Sequence, residues 1–413
     1  MIFLVGLKYL QVEYVHAAQV TIAGAIPEPD SAAERRDDLR PQPERLLDGH
    51  IGQTDVGGPL RLDEALKYAV GRIETDPRKI EIIISYLGWD DRTLRRLKEL
   101  DQSDGLNAER VVPTVACAVD RLRQTGFVPE AVERSLVLAE TLVPVLDTEL
   151  NQALLDAKLC YQRFACDGLV SAAEVFRERS PFEAVVVGTH RALVKSGTAE
   201  GIAQLAVLAQ RTVQSYGCAN LESLAEDSEE IFGSCASAAL AEAAARTSGK
   251  FEWLDREHGW FWYIPEYDDN SNCLVDEIKR VLAVTPRILL SDLQSAIRRD
   301  HQSEELAPPL NVLSAVCKRL LFVRVEGDVV VRVAGALKWE AVLGLAESIF
   351  VKVLQTHGPV LHQDEFLDRC LQNGISQDAF VQSAPCSPVL VRSASNMYAL
   401  VGASASRLSV ATN

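Results

Sequence analysis

At 413 residues the chain is too long for one hydrophobic core, and its length implies about three or four folded units. Nearly half its residues are apolar and about a quarter charged, which excludes a chain that is disordered throughout. The formal charge of -16 excludes a surface that tracks nucleic acid along its whole length, and nine scattered cysteines without a C-x-x-C pair or a histidine at zinc spacing exclude a zinc ribbon.

The first fifteen residues, MIFLVGLKYLQVEYV, are apolar but interrupted by Lys8 and Glu13. No basic stretch precedes them, and the run falls far short of the ~20 residues that a membrane span needs. A local strand or an upstream extension is expected, in a soluble, cytoplasmic protein with no membrane partner. Isolated cysteines agree with a reducing compartment and buried thiols. Residues 26–60 carry Pro27, Pro29, Pro41, Pro43, Gly57, Gly58 and Pro59 among clustered charges. That composition predicts a disordered linker, so 1–60 is read as an N-terminal extension.

Helical periodicity begins at Leu62 and marks a unit over 61–126. Asp76-Pro77 suits a helix start, because aspartate caps free N–H groups and proline tolerates the first turn. Leu94 and Leu97 place an apolar pair on one helix face, while Arg92, Arg95, Arg96 and Lys98 form a basic patch on the others. Gly105 breaks the chain, and Asn107 is a good N-cap for a helix whose first turn holds Ala108, Glu109 and Arg110. In a helix-turn-helix that turn enters the major groove, where arginine bridges guanine and glutamate accepts from cytosine.

The order D-P-R, Y-L-G-W-D, T-L-x-x-L, x-x-E-R-V, D-R-L-R resembles region four of primary-type sigma factors, over about 60 residues. By that resemblance Glu109 and Arg110 match the family's recognition helix, Thr93 and Leu94 its supporting helix, and Arg121 and Arg123 its basic end. The implied role is recognition of a promoter element, with double-stranded DNA as partner and RNA polymerase core as a second. Thr114, one turn beyond Arg110, joins the expected DNA contacts. Val112 and Pro113 depart from the family pattern, and proline at that depth is expected to bend the helix. No stretch resembles the promoter-melting region two, so a complete initiation factor is not expected.

Residues 127–194 are read as a helical linker bundle. The remainder repeats one layout over 195–266, 270–335 and 338–403, ahead of a disordered tail at 404–413. Each repeat has a long amphipathic helix, two shorter helices, and two β-branched or aromatic runs around a polar turn. This is the layout of a winged helix, so the expected fold class is mainly α, with tandem helix-turn-helix and winged-helix modules and short β-hairpin wings. Phe251, Trp253, Trp260 and Trp262 are expected to cover the hairpin side of a small core rather than to stack on single strands. Glu326-Gly327-Asp328 is expected to form a hairpin turn.

The 270–335 repeat alone carries a plausible phosphate-facing surface: Asn311, Lys318 and Arg319 on its third helix, with Arg298, Arg299, Arg324 and Arg332 nearby. The other third helices are poor in donors. No phosphate loop, dinucleotide fingerprint or nucleophile elbow is present, so neither enzymatic activity nor a cofactor is expected. The expectation is a DNA-binding transcription regulator. Its alternative is a protein-interaction scaffold of degenerate winged helices that does not bind DNA.

Overall fold

Asp76 starts a helix as expected: its carboxylate accepts the Arg78 backbone N–H at 3.0 Å, and Pro77 occupies the first turn. The computed structural model describes residues 60–90, 108–177, 179–264, 272–301, 308–333, 335, 337–393 and 395–403. These form a mainly helical protein with small antiparallel three-stranded sheets. The expected N-terminal extension, the basic patch and the C-terminal tail lie outside the described residues.

Three helices lead the described chain: α1 (Leu62–Gly71), α2 (Pro77–Tyr86) and α3 (Ala108–Thr125). On α3, Val111, Val115, Ala118 and Leu122 recur at helical spacing and are buried, while Val112, Pro113, Ala116, Cys117, Asp120 and Arg121 are exposed. The helix is unbroken through Pro113. Pro113 itself sits on the solvent side of the helix, away from the buried face.

Four consecutive stretches of the described residues then repeat one order of helix, short strand, helices and hairpin. The first comprises α4 (Glu130–Leu142), β1 (Val145–Leu146), α5 (Asp147–Asp156), α6 (Cys166–Arg177), β2 (Phe182–Val187) and β3 (His190–Lys195). The second runs through α7 (Gly201–Tyr216), β4 (Ala219–Asn220), α8 (Leu221–Asp227), α9 (Glu229–Phe232), α10 (Ala238–Ala245), β5 (Phe251–Asp255) and β6 (Trp260–Tyr263). The third contains α11 (Cys273–Val284), β7 (Arg287–Leu289), α12 (Leu290–His301), α13 (Leu310–Arg319), β8 (Val323–Glu326) and β9 (Val329–Arg332). After α14 (Trp339–Val342) the fourth follows, with α15 (Leu345–His357), β10 (Val360–His362), α16 (Gln363–Gln372), α17 (Gln377–Ser383), β11 (Leu390–Arg392) and β12 (Met397–Leu400).

In every unit the short strand pairs antiparallel with the last strand, giving the order first, third, second. Val145 faces Leu193, Ala219 faces Phe261, Ile288 faces Val330 and Leu361 faces Tyr398. The expected turn in the third unit is present: Glu326 pairs with Val329 around Gly327, whose φ of 61° suits glycine. Residues 127–194 correct the sequence reading. The expected helical bundle contains the first of these units, whose runs FEAVVV and HRALVK fold back at Gly188 as a hairpin.

Three apolar cores organise the described residues. One joins α1–α3 to the first unit through Leu62, Trp89, Leu122, Leu136 and Leu169; a second spans the second and third units; a third fills the fourth unit around Phe350, Phe366 and Phe380. Strand β3 divides its side chains between two of them. Leu193 points into the first core while Ala192 and Val194 join the second, as alternation along a strand covered on both faces requires.

Candidate nucleic-acid interface

The α1–α3 end carries basic groups that periodicity alone did not single out. Arg72, Arg78, Lys79 and Arg121 are exposed there. The Glu74 carboxyl near Lys79 and Arg121 is held below its ordinary value, first by the Asp76 backbone N–H, which with the Thr75 N–H and the positive charges of Lys79 and Arg121 outweighs desolvation. Lys79 lies 3.7 Å from that carboxylate. Positive charge from α2 and α3 thus converges beside the exposed side of α3.

Of the residues expected to touch DNA, Arg92, Thr93, Arg95, Arg96, Lys98 and Asn107 lie outside the described residues. Glu109 and Arg110 fall in the first turn of α3, where the backbone is helical. Thr114 is half-buried on the same helix. Lys318 is exposed on α13. Two other α13 residues are engaged by the preceding unit. Asn311 donates to Asp255 Oδ2 at 2.6 Å. The Arg319 guanidinium donates to Glu252 at 2.7 Å and to the Trp253 carbonyl at 2.7 Å.

The further cations of the third unit divide similarly. Arg332 donates to the carbonyls of Leu282, Ala283 and Leu337, closing the end of α11 rather than facing solvent. Arg299 is half-buried, and desolvation holds its guanidinium below the ordinary value despite the nearby Asp292. Arg324 pairs with Glu326 at 2.6 Å, and Arg298 is exposed. Among the expected phosphate-facing residues of this unit, Lys318, Arg298, Arg324 and the Asp255-bound Asn311 keep solvent exposure.

Packing explains the pattern. The third helix of each of the first three units is closed by what precedes it. On α6, Gly168 packs so tightly that a Cβ would overlap the Gly88 carbonyl oxygen. Trp89, fully buried, donates from its indole to Gly168 O at 3.1 Å and Ser171 Oγ at 2.9 Å. Ser171 in turn donates to Leu87 O at 2.6 Å, and Arg123 of α3 donates to Glu174 O at 3.0 Å. In the second unit, Ser237 caps α10 and hydrogen-bonds Glu149 of the first unit, while Ser234 donates to Val143 O at 3.1 Å. The α13 contacts to β5 repeat the arrangement one unit later. In the fourth unit, α17 leaves Gln377, Asp378, Val381 and Gln382 exposed.

The aromatic hairpin of the second unit is core and cover, as its strand period suggested. Phe261 and Trp262 are buried, and Phe251, Trp253 and Trp260 pack against them. No helix among the described residues is long and apolar enough to cross a membrane. Comparison with protein-family models, curated proteins and solved structures returns no match.

Proposed function

We propose that this protein is a DNA-binding transcription regulator that reads DNA from one end, through the sigma region-four-like segment ending in α3, with winged-helix modules stacked behind it. The carrying observation is the two-sided character of α3. Its inner face is buried and its outer face exposed, with Arg121 on it and Lys79 acting on the same Glu74 carboxyl, whereas α6, α10 and α13 are packed against preceding structure. The helix order and the repeated first-third-second strand order support the winged-helix reading. In this reading the modules space and hold the reader and present surfaces to RNA polymerase or another protein.

The test is an electrophoretic shift with the full chain on genomic fragments selected for binding, and on random DNA, across a salt series. Arg110→Ala is expected to weaken the selected site by about 1–3 kcal/mol and to relax its sequence preference. Arg121→Ala is expected to weaken all sequences alike and to reduce the salt slope by about 1. Absence of a steep salt slope sinks the proposal.

A protein-interaction scaffold that does not bind DNA is the second reading. It is favoured by the charge of -16 and by the donor-poor outer face of α3, where Val112, Pro113, Ala116 and Cys117 are exposed. No shift even at low salt, with a partner co-purifying, is the outcome that selects it.

A further inference from the structure

We propose that the groove between α8, α10 and the β5–β6 hairpin docks a cationic segment of a partner protein, seating arginine or lysine against Trp253 and Trp260 between Glu222, Glu226 and Glu257. The groove encloses about 910 Å3, ample for several side chains, and its walls combine indole rings with carboxylates. Among the described residues lining it, Arg256 is the one arginine or lysine against four glutamates. Glu242 is committed to Arg246 at 2.7 Å. Glu222, Glu226 and Glu257 are exposed and have no ion pair among the described residues.

The surrounding surface deepens the field. Asp227, Glu229 and Glu230 are exposed on the same α8–α9 stretch. A concave, carboxylate-lined surface with aromatic walls concentrates cations and holds them, because the indole face attracts positive charge as the carboxylates do. The sheet already uses that chemistry: the Arg246 guanidinium lies 4.4 Å from the Phe251 ring centroid and 5.9 Å from that of Trp253. The same acids exclude a phosphate backbone from this face, so the site is independent of DNA reading by α3.

The probe is a fluorescein-labelled peptide of alternating arginine and leucine, measured by anisotropy with the full chain, against the same peptide carrying glutamate for arginine. The arginine peptide is expected to bind and the glutamate peptide not. The triple variant Glu222→Gln, Glu226→Gln, Glu257→Gln is expected to weaken binding roughly tenfold. A control, Asp364→Asn, Glu365→Gln, Asp368→Asn on α16, removes as much charge elsewhere and is expected to change affinity by less than about twofold. Equal losses in both variants would mean general attraction to an acidic chain and overturn the proposal. So would an unchanged affinity in the first variant, or binding of the glutamate peptide.

Discussion

Buried thiols and one buried carboxylate set the pH behaviour of individual residues. Burial pushes the Cys218, Cys317 and Cys370 thiols up to about 12, and burial with the nearby Asp63 pushes Cys160 up to about 11. Cys166 is raised further, first by burial and then by Asp147. Because the folded chain keeps protons that the unfolded chain releases, this stability is complete below about pH 9 and is lost as pH rises toward the folded values. The urea midpoint should therefore fall steadily through the alkaline range, and a flat profile would contradict the burial. Exposed Cys117, Cys235 and Cys273 should react with iodoacetamide in the native protein, while Cys218 and Cys317 should react only after denaturation.

Asp147 behaves in the opposite sense. Burial opposes its ionised form, yet hydrogen bonds from the Cys166 thiol and backbone N–H, with Arg163, outweigh burial and hold the carboxyl below its ordinary value. Its contribution is present above the ordinary carboxylate pKa and is lost on acidification. Asp147→Ala removes the acceptor of the Cys166 N–H, at 2.8 Å, and should lower unfolding free energy by about 1–3 kcal/mol. Nothing in the sequence distinguishes this aspartate from an ordinary helix-start acid, because its partners lie sixteen and nineteen residues away.

Single elements show what the packing requires. Gly168→Ala drives a methyl group into the backbone of the Gly88 turn that follows α2, which cannot yield cheaply, and should cost about 1–3 kcal/mol. Gly71→Ala, whose Cβ would meet nothing within 4 Å at the end of α1, should be neutral or stabilising by about 0.5–1 kcal/mol in the same urea titration. Arg319→Ala should destabilise the protein by about 1–3 kcal/mol while leaving the salt slope of DNA binding unchanged. A reduced slope would return Arg319 to the phosphate contacts. The helix start at Asp76 and the Gly327 turn were legible because each depends on neighbours within three residues. The destinations of Asn311, Arg319 and Arg332 were not, since their partners lie 56, 67 and 50 residues away.

Across the molecule, repetition was legible from residue 195 onward because long helices and aromatic or β-branched runs recur in the same order. The unit over 130–195 escaped notice because its hairpin alternates weakly and follows strongly periodic helices. What no pattern of one chain segment carries is the use of a third helix as a joint. A helix face that packs on a neighbour and one that reads a groove require similar small and polar residues. Charge gives the remaining global constraint: with -16 overall, the proposed reading of DNA requires a local basic surface and an affinity that falls steeply with salt.

Strand β3 has one further consequence. Since its neighbouring side chains serve different cores, the boundary between the first and second units runs through a strand rather than between two bodies. A protease offered the native protein should find no linker to sever near residue 194, and a fragment begun just after Lys195 should surrender the cover over its own helices and precipitate. Anyone dissecting the chain must cut elsewhere.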